Sequence, residues 1–270
     1  MRFELAEKAP VVIVEARVNS KGPLRFLVDT GSSVTVIAKE TIGTIGFQGK
    51  LSDSERGSKG CCSSALMRVE SIEVDNVEAK DVSVVPGNLL TISEEVGTRI
   101  DGIIGASLLR NCKVIIDYPK QEICFGNSTV VEERRVKFRF ASHAPFIVVE
   151  AAVNRKGPYD FLVDTGASLT TITGHTSKAL GLYEKASGQR RALSGSFAGA
   201  VMTLAKVESM QLGDVISENV DVGLHDLTQL SKGIGTFVNG VIGYTFMKDY
   251  RVTINYPKQE ISFERVARND

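Results

Sequence analysis

Two stretches of this chain nearly coincide: KGPLRFLVDTGSSVTVI, Lys21 to Ile37, and KGPYDFLVDTGASLTTI, Lys156 to Ile172. They stand 135 residues apart in a chain of 270. From Pro10 and from Pro145, 18 of 28 successive positions are identical. Further on the offset becomes 138. Asp101–Gly105, DGIIG, matches Asn239–Gly243, NGVIG, and VIIDYPKQEICF from Val114 matches VTINYPKQEISF from Val252 at 9 of 12 positions. A unit this long exceeds the roughly 20–45 residues of a solenoid repeat, so each copy must close a core of its own. Two lobes are expected, residues 1–130 and 131–270.

Within a lobe the local signals are those of strands. PVVIVEARV is rich in β-branched residues, NSKGP is a turn cluster, and LRFLVD resumes the run, which predicts a hairpin whose second strand ends at Asp29. A second hairpin is expected around Pro119-Lys120. Short helices are expected only at HTSKALGL, capped by Gly181, and after the glycines at ASLLRN and YTFMKD. The fold class is all-β with a few short helices.

Charge narrows the partners. Lys plus Arg and Asp plus Glu both number 32, which leaves no basic excess for a nucleic acid or an anionic membrane surface. No apolar run reaches the ~20 residues that span a bilayer, and Met1–Pro10 lacks the apolar core of a signal peptide. A soluble protein is expected, with its compartment unassigned, and extracytoplasmic if a leader has been removed. The four cysteines, Cys61, Cys62, Cys112 and Cys124, form neither a disulfide framework nor a zinc pattern and are expected as free thiols. His143, His175 and His225 are scattered, and no metal or cofactor is expected.

An aspartate at a strand end followed by Thr-Gly is a tight turn presenting a carboxylate. Taken singly it is an ordinary Asx turn. Two copies in equivalent positions mean more, because related lobes commonly pack about a pseudo-twofold axis that sets equivalent residues face to face. Carboxylates about 3 Å apart at an effective dielectric of about 20 repel by roughly 5.5 kcal/mol. That is roughly four pKa units, enough to keep one of them protonated over a wide pH range. A pair sharing one proton holds both a general base and a general acid.

On these motifs the chain resembles the aspartic proteases. FLVDTGSS and FLVDTGAS carry the Asp-Thr-Gly signature, and Ile103-Ile104-Gly105 and Val241-Ile242-Gly243 the accompanying hydrophobic-hydrophobic-Gly motif. The lobe length is similar to that of retropepsin-like domains fused in tandem, and the single-chain, two-lobed plan to that of pepsin-like enzymes. The resemblance implies a two-lobed, barrel-like acid-protease fold with pseudo-twofold symmetry, acting as an aspartic endopeptidase on an extended peptide or unfolded protein, as a monomer with an intramolecular pseudo-dimer.

Residue by residue, Asp29 and Asp164 would hold the nucleophilic water. Thr30 and Thr165 would bond across the junction, Gly31 and Gly166 would offer amides to the carboxylates, and Ile104-Gly105 and Ile242-Gly243 would brace the loops. Ser32 and Ala167 differ between the copies, and a hydroxyl reaching Asp29 would make that carboxyl the more easily ionised. Substrate-covering flaps are expected at Ser54–Leu66, with Gly60, Cys61 and Cys62, and at Ser187–Met202, with Gly195, Ser196 and Phe197. Two alternatives stay open: an inactive peptide-binding module of the same fold, and an active site assembled by homodimerisation.

Overall fold

In the computed structural model, residues 1–6, 8–46, 66–126, 135–183, 190–193 and 200–266 are described. The first half of the chain carries β1 (Glu4–Leu5), β2 (Val12–Val18), β3 (Lys21–Val28), β4 (Thr35–Ala38), α1 (Lys39–Ile42), β5 (Met67–Val74), β6 (Val77–Gly87), α2 (Leu90–Val96), β7 (Gly102–Ile104), α3 (Ala106–Leu109), β8 (Lys113–Asp117) and β9 (Glu122–Phe125). The second half begins with β10 (Arg135–Lys137), β11 (Arg139–Phe140), β12 (Ile147–Val153), β13 (Lys156–Val163), β14 (Thr170–Thr173) and α4 (Gly174–Ala179). It continues through β15 (Arg190–Leu193), β16 (Ala200–Leu212), β17 (Val215–His225), α5 (Thr228–Ile234), β18 (Gly240–Ile242), α6 (Tyr244–Met247), β19 (Tyr250–Asn255) and β20 (Glu260–Arg265).

The predicted first hairpin forms in both halves for a local reason. β2 and β3 are joined by Asn19-Ser20 at φ 49° and 60°, and β12 and β13 by Asn154-Arg155 at φ 50° and 61°. Two successive left-handed residues match the twist of the flanking strands, and asparagine tolerates that conformation better than most residues. Each asparagine also ties the turn to the next hairpin. Asn19 Oδ1 accepts from the amides of Glu70 and Ser71, and Asn154 Oδ1 from those of Glu208 (2.8 Å) and Ser209 (3.2 Å).

Around these hairpins each half closes on itself. The order β2-β3-β7-β4-β6-β5 is completed by pairing of β2 with β5, and β12-β13-β18-β14-β17-β16 by pairing of β12 with β16. Each lobe is therefore a closed six-stranded barrel, and closure removes exposed strand edges. The fold is all-β and two-lobed, as the sequence leads one to expect.

A third sheet, ordered β10-β20-β19-β8-β9, joins the halves, with β8 of one antiparallel to β19 of the other. Arg251 and Asp117 face each other on these two strands, and their ion pair, at 2.9 Å, crosses the join with Asp117 buried. The principal apolar core runs through both halves, from Val14, Phe26 and Ile104 to Phe161, Ile242 and Phe246.

Three helices form where none was expected: α1, α2 and α5. α2 and α5 fill equivalent places. Asn88 and Asp226 accept from the amides of Leu90 and Thr228 at their starts, and Gly97 and Gly235 end them in the left-handed conformation, at φ 81° and 67°. Seven residues are too few to display a helical apolar period clearly, although the polar start and glycine stop were present in the sequence. The two helices cover apolar clusters apart from the main core, Leu27 and Ile103 with Leu89 and Val96 in one lobe, Leu162 and Val241 with Leu227 and Ile234 in the other.

Asn154→Ala removes both the left-handed tolerance and the acceptor and should destabilise the protein by about 2 kcal/mol. Asn154→Gly, which keeps the backbone freedom, should cost less. Urea unfolding midpoints of the two variants check this order.

Candidate active site

Parallel pairing fixes where the two aspartates stand. In β3 and β7, Val28 lies beside Ile104, and in β13 and β18, Val163 lies beside Ile242. The residue after each strand donates its amide to that neighbour, Asp29 N to Ile104 O and Asp164 N to Ile242 O, both at 3.0 Å. Ile104 and Ile242 are fully buried. Behind them, Gly105 N donates to Thr35 Oγ1 at 3.3 Å and Gly243 N to Thr170 Oγ1 at 3.1 Å. A side chain at Gly243 would collide with the carbonyl of Ala167, whose oxygen accepts from Tyr244 N at 2.8 Å.

The two turns then lock together. Thr30 Oγ1 donates to Val163 O at 2.8 Å and accepts from Thr165 N at 3.1 Å. Thr165 Oγ1 donates to Val28 O at 2.7 Å and accepts from Thr30 N at 3.1 Å. Both threonines are buried, so all four bonds form out of water's reach.

This clasp brings the aspartates into contact. Asp29 is 6 % exposed and Asp164 3 %, and their side chains share a hydrogen bond. Gly31 N donates to Asp29 Oδ1 at 2.7 Å, and Gly166 N to Asp164 Oδ1 at 2.8 Å. The glycines are required by the opposite carboxyl: a Cβ at Gly31 would lie 2.5 Å from Asp164 Oδ2, and one at Gly166 2.7 Å from Asp29 Oδ1. Each carboxyl thus nests against the other turn's backbone.

Asp29 is held protonated well above the usual carboxylate range. Burial is the main cause, followed by the charge and hydrogen bond of Asp164, with the Gly31 amide opposing them. The condition set for Ser32, that its hydroxyl reach Asp29, is not met. Ser32 Oγ donates to Val34 O at 2.8 Å, so its single proton is committed elsewhere. Ala167, its counterpart, is buried in the apolar cluster under α5.

Several site features escaped the sequence reading. Thr35 and Thr170 bind Ser107 and Thr245, with Thr35 N to Ser107 Oγ at 2.8 Å and Thr170 N to Thr245 Oγ1 at 2.9 Å. Both threonines are identical in the repeat, which was signal enough to notice them. Two tyrosines, Tyr118 and Tyr256, are buried in the principal core. Tyr118 feels the charge of Asp164, and Tyr256 that of Asp29 and Asp164, with burial doing most to push both phenols up.

Of the expected flaps, the second is represented by β15 and the start of β16, paired with Leu193 opposite Ala200. Gly195, Ser196 and Phe197 lie outside the described residues, as do Gly60, Cys61 and Cys62. Cys112 and Cys124 are free. Among the described residues no three His, Cys, Asp or Glu side chains are grouped to hold a metal ion. Nor is any helix there long and apolar enough to cross a membrane.

A comparison with protein families matches the aspartyl protease family over residues 14–108 and 149–246. The chain belongs to the aspartyl proteases. Both matched segments contain one Asp-Thr-Gly turn and one hydrophobic-hydrophobic-Gly motif, so the family pattern is satisfied once in each lobe of this protease. No curated protein matches the chain.

The clasp and the carboxyl pair each carry a measurable consequence. Thr165→Val leaves the buried Thr30 amide and Val28 carbonyl unpaired and should destabilise by about 2–4 kcal/mol, whereas Thr165→Ser should cost much less, as read by equilibrium unfolding. Because the pKa of Asp29 is raised on folding, its contribution to stability is complete below 3.8 and is lost as pH rises toward the folded value. Asp29→Asn should therefore raise the melting temperature at pH 7 and change it little at pH 3, as calorimetry at the two pH values would record.

Proposed function

We propose that the protein is an aspartic endopeptidase in which Asp29 and Asp164 activate one water between them. The supporting observation is the hydrogen-bonded contact of two buried carboxyl groups, one from each lobe, with Asp29 protonated. Asp164, as the charged member, takes a proton from the water while that water attacks the scissile carbonyl. Asp29 donates its proton toward the carbonyl oxygen, which stabilises the gem-diol intermediate. The nitrogen of the leaving amine is then protonated from the pair, and the starting charge is restored. Water and peptide are the only reactants consumed, and the products are a carboxylate and an amine.

Thr30 and Thr165 maintain the separation of the carboxyl groups, and Gly31 and Gly166 admit the opposing carboxyl while donating an amide to their own. Ile104-Gly105 and Ile242-Gly243 support the turns from the barrel side. The lobes divide at 1–130 and 131–270, and each chain completes its own site, because β8 and β19 already pair within it. The substrate class is an extended peptide or unfolded protein, which the closed barrels leave to be bound between lobes, with hairpins such as β15–β16 beside it.

Asp29→Asn and Asp164→Asn, made separately, should each reduce cleavage of a denatured protein at pH 3–7 by about 1,000-fold or more while leaving the far-UV dichroism unchanged. A statine-type inhibitor should block the wild type. Full activity in either variant would refute the mechanism. Saturable peptide binding without cleavage would point to a binding module instead, and activity that rises with the square of protein concentration to a dimer.

A further inference from the structure

Ser107 and Thr245 each stand two residues after the glycine of a hydrophobic-hydrophobic-Gly motif, and each hydroxyl accepts the amide of the threonine that opens β4 or β14. A hydroxyl can accept more than one hydrogen bond but has a single proton to give. The two residues give theirs to different places. Ser107 Oγ lies 2.9 Å from Thr35 Oγ1 and 3.5 Å from Ser83 O on β6, so the nearer oxygen takes the proton and the bond stays among groups that already support the Asp29 turn. Thr245 Oγ1 donates to Asp221 O on β17 at 2.8 Å. Asp221 is the counterpart of Ser83, so the same carbonyl position is engaged in one lobe and left beyond ordinary bonding distance in the other.

From Asp221 the connection runs inward bond by bond. Thr245 Oγ1 accepts from Thr170 N at 2.9 Å, and Thr170 Oγ1 accepts from Gly243 N at 3.1 Å. Ile242, the residue before that glycine, accepts from Asp164 N at 3.0 Å. Tyr244, between Gly243 and Thr245, donates its amide to Ala167 O at 2.8 Å, so the turn is gripped at Asp164 and again three residues on. Thr170, Ile242 and Ala167 are all buried, which keeps water from competing for these bonds. Outward, β17 pairs with β16 from Val215 opposite Leu212 to Leu224 opposite Thr203, where β16 also takes up β15. One hydroxyl therefore stands between the Asp164 turn and the strands that bear the β15–β16 hairpin.

We propose that Thr245 is a positioning residue for Asp164: its hydroxyl fastens the turn that carries this aspartate to β17, and through β17 to the β15–β16 hairpin. Ser107 gives the Asp29 turn only a 3.5 Å approach to the matching carbonyl of β6. The two aspartates are thereby unequally supported. Movement of the β16–β17 hairpin is transmitted to Asp164, while the equivalent hairpin β5–β6 is more loosely coupled to Asp29. The effect on turnover rests on the proteolytic role proposed above; the effect on the carboxyl pair does not.

Three variants test this: Thr245→Val, which removes the hydroxyl, Thr245→Ser, which keeps it, and Ser107→Ala in the other lobe. The readouts are kcat and KM on an unfolded-protein substrate and the carboxyl ¹³C titration of Asp29 and Asp164. A loosened turn lets the carboxyls move apart, and their mutual repulsion falls with distance. Thr245→Val should lower kcat about tenfold with KM little changed. It should also draw the two apparent pKa values of the pair together by about half a unit. Thr245→Ser should restore both, and Ser107→Ala should change both by clearly less. Unaltered kcat and titration in a folded Thr245→Val, no rescue by serine, or an equal change in Ser107→Ala would overturn the assignment and leave Thr245 a plain loop bond. Should Thr245→Val fail to fold, the wild type decides: amide exchange at Asp164 should be about tenfold slower than at Asp29, and equal rates would overturn the proposal. A converged titration in a chain that cleaves nothing would leave Thr245 its role and remove the proteolytic one.

Discussion

Two acidic side chains in contact, away from water, are a configuration that proteins avoid unless something compels it. Isolated in solution, Asp29 and Asp164 would separate and ionise. Here the four threonine bonds hold the turns together from both sides, and each glycine leaves room for the carboxyl opposite. The central sheet and a shared apolar core resist separation of the lobes on a larger scale. The repulsion cannot be relieved by movement, so it is relieved by a proton. A carboxyl that stays protonated beside one that does not is the chemical product of this mechanical constraint.

The duplication underlying the constraint has been edited without losing its contacts. In the first lobe Arg25 pairs with Glu4 at 2.7 Å, and at the equivalent place in the second Asp160 pairs with Arg139 at 2.6 Å, so both signs have been exchanged together. A similar exchange appears at Asp101 and Asn239. Asp101 Oδ2 accepts from Arg25 N and Asn239 Oδ1 from Asp160 N, both at 3.0 Å. Thr41 Oγ1 donates to Asp101, whereas Asn239 Nδ2 donates to Thr176 Oγ1, so the donor has changed sides. Complementarity at each site, rather than residue identity, is what the fold requires. Ion pairs this exposed add little to stability. The buried Tyr118–Met247 contact is different, because its counterpart Tyr256 has no acceptor among the described residues.

Much of the site was legible before any coordinates. The β-branched runs, the Asn-led turns and the glycine motifs act through neighbours in sequence, and they lead to the barrels and to Asp29 and Asp164 at strand ends. The Thr30–Thr165 clasp also followed once the family resemblance was stated. Helices α2 and α5 did not, since their stability comes from Leu27, Ile103, Leu162 and Val241 beneath them, residues distant in the chain. Ser32 misled for a related reason. Proximity in sequence suggested a bond to Asp29, and the loop geometry instead aimed its hydroxyl at Val34 O.

The residues alone established that one unit is written twice, that it is made of strands, and that each copy ends a strand in a carboxylate, because those properties depend on local preferences and on counting. Tertiary structure decided that the two carboxyls meet out of water's reach, so that a proton stays with the pair, and that the Ser32 hydroxyl turns to Val34 O. Those outcomes depend on desolvation and on atoms brought together from positions some 135 residues apart, as Thr30 and Thr165 are. No spacing rule carries that information: burial is a property of the whole assembly, and it sets the cost of every charge and every unpaired hydroxyl within it.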